Sequence, residues 1–168
     1  MKVAGRFEKV SEQNFAISMQ KMGFSEKEAK DAYLELKIPS RATKGSAGFD
    51  FFAPFSFSLS PMQSITIPTG IRVKINEGWL LQIFPRSGLG FRFRLQLDNT
   101  VGIIDSDYYE SDNEGHIFCK ITNASYEQKT VEVAKGSGFC QGIFTEYGIT
   151  DSDNAYAFRN GGFGSTNL

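Results

Sequence analysis

The stretch IRVKINEGWLLQIF, residues 71–84, already contains the architecture of the chain. Ile71, Val73 and Ile75 alternate with Arg72 and Lys74. A period of two lays one face of a strand on a core and leaves the other in water. NEG (76–78) is a turn signal, and WLLQIF (79–84) is an apolar run of strand length, suited to a more deeply buried strand. The same pattern recurs on both sides. Ile117, Cys119 and Ile121 alternate with Phe118 and Lys120, Val131 and Val133 flank Glu132, and FDFFA (49–53) is another buried run. SPMQ (60–63), PTG (68–70) and KGSG (135–138) punctuate them. From residue 40 onward, many short strands broken by Gly and Pro predict an all-β sandwich or barrel.

Only the first quarter reads as helical. Ser11 is placed to cap a segment with Phe15, Met19 and Met22 on one face, ending at Gly23. SEKE (25–28) has the capping-box spacing of a hydroxyl followed three residues later by Glu; Ala29, Ala32, Tyr33 and Leu36 follow at helical intervals until Pro39. The expected organisation is an N-terminal extension with two short helices (1–38), a β core (39–150) and a polar, glycine-rich C-terminal stretch (151–168) without sustained period. At 168 residues and 40% hydrophobic, the chain suits one domain. A net charge of −1 argues against non-specific binding to nucleic acid. No apolar run approaches the roughly 20 residues of a membrane span, and MKVAGRFEKV lacks the apolar centre of a signal peptide. Cys119 and Cys140 match no zinc spacing and read as reduced core residues, so a cytoplasmic location is expected.

Three clusters of glycine, hydroxyl and arginine stand out: RATKGSAGFD (41–50), PRSGLG (85–90) and RNGGFGST (159–166). Glycine lets backbone N–H groups converge on one point, Ser and Thr add donors, and Arg adds a charged fork. None is a P-loop, because no Gly-Lys-Ser/Thr follows a strand. Between them lies GIIDSDYYESDNEGHIF (102–118), with five carboxylates and the only histidine. Anion-binding turns together with carboxylates suggest a site for metal and polyphosphate.

With NTVGIIDSDY (99–108) and GFCQGIF (138–144), these clusters resemble, in order, the five motifs of the trimeric dUTPases, over residues 39–168. The resemblance implies a β jelly-roll homotrimer with active sites between subunits. It implies cleavage of dUTP to dUMP and pyrophosphate with Mg²⁺, limiting uracil in DNA and supplying dUMP. It makes Asp105 the carboxylate that activates water for attack on the α-phosphorus, and places Tyr108 under the deoxyribose, leaving no room for a ribose hydroxyl. Asn99 would contact uracil, and the hairpin through Gly102 and Ile104 would read the base edge by backbone groups. Arg86, Ser87 and Gly88 would serve the phosphates, as would Gln141; Asp50 would hold metal-bound water. In the C-terminal stretch, acting as a lid on a neighbouring subunit, Phe163 would stack on uracil, Arg159 would reach the γ-phosphate, and Gly164, Ser165 and Thr166 would add donors.

Two departures stand out. Arg159 lies four residues before Phe163 where the pattern has five, and Gly115 comes late after Asp-Tyr. Residues 109–114 are therefore expected to form a longer hairpin tip with Glu110, Asp112 and Glu114 solvated; Asp107 is expected to be structural, and His116 structural or exposed. No direct nucleic-acid or membrane partner is expected. Rival readings are a dCTP deaminase, which generally lacks GIIDSDY, and a dUTP-sensing regulator holding a protein partner through the helices and the 109–114 tip. A third is a β-sandwich binding module without turnover.

Overall fold

A computed structural model describes residues 2–156. In chain order its elements are β1 (Gly5–Lys9), α1 (Glu12–Lys21), α2 (Glu26–Leu34), β2 (Ser40–Arg41), β3 (Phe49–Phe52), β4 (Phe57–Leu59), β5 (Ser64–Pro68) and β6 (Ile71–Ile75). They continue with β7 (Trp79–Pro85), α3 (Ser87–Phe93), β8 (Leu95–Leu97), β9 (Gly102–Ile104), a 3₁₀ turn (Ser106–Glu110), β10 (Phe118–Asn123), β11 (Val131–Val133) and β12 (Gly138–Glu146). The strands pair antiparallel throughout. The largest sheet runs β2-β3-β12-β7-β9; the others are β5-β10-β8, β1-β6 and β4-β11. This is the predicted all-β architecture of jelly-roll type. No helix among the described residues is long and apolar enough to cross a membrane.

The period-two reading holds in detail. On β6, Ile71, Val73 and Ile75 are buried while Lys74 is exposed. On β7, Leu81 and Ile83 are the buried pair, and the strand is flanked by β12 and β9. Both helix caps form as well. Ser11 Oγ accepts from Asn14 N at 3.1 Å, and Ser25 and Glu28 complete the capping box. Cys119 and Cys140 are free and buried.

The N-terminal extension departs from its sequence reading, because it begins with a strand. β1 pairs with β6 from Gly5↔Ile75 to Lys9↔Ile71. GRFEK shows no clean alternation, since its partners decide its burial. Phe7 reaches over to Phe49, Phe51 and Phe144, with ring centroids 5.3–5.7 Å apart across the cluster. The extension has no core of its own: Val10, Phe15, Met19, Ala29 and Ala32 join the same hydrophobic cluster as Ile67, Leu81 and Ile121. Complete burial of a side chain such as Phe15 contributes about 2–3 kcal/mol, so the extension is held to the β core by its own apolar face.

Two further local expectations are corrected. PRSGLG opens a two-turn helix, α3, which ends with Arg94 in the left-handed region at φ 49°. Leu89 and Phe93 stand at i, i+4 on this helix and pack against the core cluster. The segment Asn99–Asp105 is not a paired hairpin: β8 bonds to β10 and β9 bonds to β7, so the turn between them passes from one sheet to another.

Candidate active site

The sheet register assembles a first cluster. β12 lies between β3 and β7, with Gln141 opposite both Asp50 and Phe84. Directly paired residues project from the same face, so Gln141 and Asp50 share a surface at the end of β7. Arg86 follows β7 and caps α3, and its Nε lies 3.3 Å from Asp50 Oδ1. Gln141 Nε2 donates to Pro85 O at 3.3 Å. Ser87 and Gly88 form the exposed first turn of α3. Two glycines make this closeness possible. A Cβ on Gly48 would lie 2.5 Å from Gln141 Oε1, and one on Gly138 2.9 Å from an Arg86 guanidinium nitrogen. Arg86, Gly88, Leu89, Arg92 and Gly138 line a shallow recess beside them. Arg92 was not singled out in the sequence, although its place on α3, six residues after Arg86, adds a second guanidinium. Two arginines, helix-terminal amides and a neutral amide form a surface suited to a polyphosphate.

A second cluster lies elsewhere. β9 pairs with β7 so that Gly102 faces Ile83 and Ile104 faces Leu81. Gly102 and Ile104 are buried, leaving Ile103 as the exposed residue of β9. Asp105 ends the strand, half-buried, and the 3₁₀ turn begins after it. Tyr108 is 3% exposed. Its hydroxyl donates to His116 O at 2.7 Å and accepts from Asn113 Nδ2 at 2.8 Å. Tyr108 thus belongs to the hydrophobic core cluster, and its hydroxyl is fixed at the edge of the loop that follows Asp105. Asn99 sits in the exposed turn before β9.

Residues 109–114 are no hairpin tip, since β9 pairs with β7 and β10 with β5 and β8. Tyr109 folds back on the extension: its hydroxyl donates to Glu8 Oε2 at 2.7 Å, and Arg72 Cζ stacks 4.0 Å from its ring centroid. The Tyr109 hydroxyl is the main cause that pulls the Glu8 carboxyl down to about 2, against the burial that raises it and with help from Arg6 and Arg72. Glu114, expected in solvent, accepts instead from Ser11 N at 2.7 Å and Ser11 Oγ at 2.6 Å. Burial raises its pKa, but these bonds outweigh that and hold it below the usual carboxylate value. Glu110, Asp112 and Asp107 are exposed. His116 is fully buried. Its Nε2 accepts from Gly70 N at 2.9 Å, so Nδ1 carries the proton toward Asn14 Oδ1, also at 2.9 Å. Burial pushes its pKa down to about 4, with Glu114 pulling weakly upward.

The two clusters do not meet within one chain. Leu81, opposite Ile104, lies five residues before Arg86 on β7, about 17 Å of strand at roughly 3.3 Å per residue. Arg159, Phe163, Gly164, Ser165 and Thr166 lie outside the described residues. Among the described residues no group of three or more His, Cys, Asp or Glu could cage a metal. The first cluster offers one carboxylate, Asp50, with Oδ1 turned to Arg86.

Comparison with known proteins gives this geometry a context. A family model described as dUTPase matches residues 35–167. A deoxyuridine 5'-triphosphate nucleotidohydrolase of Lactococcus lactis is 39% identical over 134 residues, covering 78% of this chain and 88% of the relative. One from Finegoldia magna is 36% identical over 139 residues, covering 77% and 90%. Among solved structures, dUTPase from Streptococcus mutans superimposes with a TM-score of 0.64 at 28% identity, covering 88% of this chain and 99% of that one. A mutant dUTPase from phage phi11 of S. aureus, described as coordinating a structural Mg(II) ion, reaches 0.58 at 21% identity over 73% and 91%.

Proposed function

Because this chain belongs to the dUTPase family, we propose that it hydrolyses dUTP to dUMP and pyrophosphate. The observation that carries the reading is the convergence of Asp50, Arg86, Ser87 and Gln141 at one end of the large sheet. These are the residues that the resemblance assigns to the triphosphate (Arg86, Ser87, Gln141) and to the water around its metal (Asp50). Arg86 and Arg92 supply charge, Ser87 and the Gly88 amide supply donors, and the Gln141 amide donates without adding charge.

Asp105 accepts the proton of a water aimed in line at the α-phosphorus. The base is read along the exposed turn at Asn99 and by the backbone of Gly102 and Ile104. Tyr108, locked through its hydroxyl, acts as a rigid floor for the deoxyribose. Arg159, Phe163 and Gly164–Thr166 close over the nucleotide in the same reading. Since Asp105 lies one residue past Ile104, about 20 Å from Arg86 along the sheet, a complete site needs the Asp105 side of one copy and the Arg86 side of another. That is the arrangement of a homotrimer with sites between subunits. A single carboxylate fits Mg²⁺, which keeps several waters and takes the rest of its oxygens from phosphates. Asp50 would hold it through water, by the oxygen not turned to Arg86, and the ion would neutralise phosphate charge.

The rivals have less support. Against deamination stands the Asp-Tyr pair of GIIDSDY itself, and the nearby Glu114 is engaged by Ser11. Of the segments expected to hold a regulatory partner, the cap and first turn of α1 are bonded to residues 113 and 114, and Tyr109 is bonded to β1. The test is to incubate the protein with dUTP, UTP, dCTP or dTTP plus Mg²⁺ and identify products. dUMP and pyrophosphate should form from dUTP alone, and Asp105→Asn should lower the rate at least ~10²-fold. An undiminished rate in that variant refutes the assignment of the base.

A further inference from the structure

The residue that ties the N-terminal extension to the Asp105–Tyr108 loop is Asn14, which precedes the family match at residues 35–167. Its carboxamide uses both ends. Oδ1 meets His116 Nδ1 at 2.9 Å, and Nδ2 donates to Asn113 O at 3.2 Å. Those two residues are the ones that hold the Tyr108 hydroxyl: His116 O accepts from it at 2.7 Å and Asn113 Nδ2 donates to it at 2.8 Å. The remaining degrees of freedom are also constrained. His116 Nε2 is fixed by Gly70 N at 2.9 Å, and Ser111 Oγ donates to Tyr108 O at 2.7 Å. Asn14 itself sits in the first turns of α1, whose cap Ser11 is gripped by Glu114 from the far end of the same loop.

We propose that Asn14 is a positioning residue for nucleotide recognition: through His116 and Asn113 it sets where Tyr108 stands, and so sets the discrimination between deoxyribose and ribose. This rests on the reading of the Asp105–Tyr108 loop as part of a dUTPase site. The physical reason is that a wall rejects one extra hydroxyl only if it cannot retreat. Displacement of a positioned group by about 1 Å can cost roughly 10²-fold, and Tyr108, nearly enclosed, can move only if its hydroxyl's two partners move. Both partner residues are bonded by the one side chain of Asn14, with Ser111 Oγ also holding Asn113 Oδ1, and Asn14 lies outside the residues that the resemblance assigns to the nucleotide.

The experiment measures kcat/KM for dUTP and for UTP on the same sample, so that their ratio is independent of the folded fraction. Asn14→Ala keeps a strong helix former on a half-buried helical position; it leaves buried His116 Nδ1 without this partner, and the ratio is read on the fraction that folds. The dUTP:UTP ratio should fall roughly 10-fold, a partial loss on the scale of a 1 Å misplacement. Asn14→Asp, assayed at pH 8, keeps an oxygen facing His116 Nδ1 and should recover part of the ratio. In a Tyr108→Phe background, which lacks the hydroxyl, Asn14→Ala should change the ratio little further. An unchanged ratio in Asn14→Ala overturns the proposal whatever happens to stability, as does an equal fall in both backgrounds. If the wild-type chain turns over neither substrate, the dUTPase reading fails first and the proposal with it.

Discussion

His116 should make the fold acid-sensitive in a window where few other groups titrate. It is the only histidine in the chain. Its imidazole is buried and neutral, accepting an N–H from Gly70 at Nε2; protonation there would set two N–H groups against each other. The folded-state pKa is pushed down to about 4 from 6.5. A group whose native pKa is depressed contributes stability that is present above the unfolded pKa. That stability is lost as pH falls from 6.5 toward 4, because only the unfolded chain takes up the proton. The full difference amounts to about 3 kcal/mol, of which about 2 kcal/mol falls between pH 7 and pH 5. With a urea slope of about 2 kcal/mol per molar, the midpoint should drop by about 1 M over that interval. The assay is urea unfolding followed by the fluorescence of Trp79, the sole tryptophan, at one protein concentration, because subunit association also shifts midpoints. The carboxylates with lowered pKa values, Glu8, Glu28, Asp98 and Glu114, lose their contributions at lower pH and leave the window clear. His116→Gln should flatten the dependence. A wild-type midpoint that does not move between pH 7 and pH 5, or an equal slope in His116→Gln, refutes the reasoning.

Gly48→Ala places a Cβ within 2.5 Å of Gln141 Oε1. The amide must swing aside, and KM for dUTP should rise roughly 10-fold, the value of one hydrogen bond to a charged group, while the unfolding midpoint stays near wild type. Glu114→Ala removes the acceptor for Ser11 N and Oγ and should lower stability by about 1–2 kcal/mol. Limited proteolysis should then cut first within residues 2–24; cleavage elsewhere at the wild-type rate counts against this fastening.

Local rules made several elements readable from the amino acids. Ser11, the Ser25–Glu28 box and the alternation of Ile71, Val73 and Ile75 each specify structure through neighbours a few residues away. The site's chemistry was readable in kind, because Asp50, Arg86, Ser87 and Gln141 lie in recognisable order and the structure brings them together. What failed were segments whose state depends on distant partners. β1 is a strand because β6 offers an edge. Residues 109–114 turn inward because Glu8, Arg72 and Ser11 are there to receive Tyr109 and Glu114.

By itself, then, the sequence determined the all-β class, the family of the chain and the chemical kinds gathered along it, since periodicity and residue type are properties of short stretches. Only the tertiary structure decided that the phosphate cluster and Asp105 occupy different ends of β7, and that Asn14 reaches the loop that follows Asp105. Distance between strands is set by register, and register is an outcome of the whole packed core rather than of any segment within it.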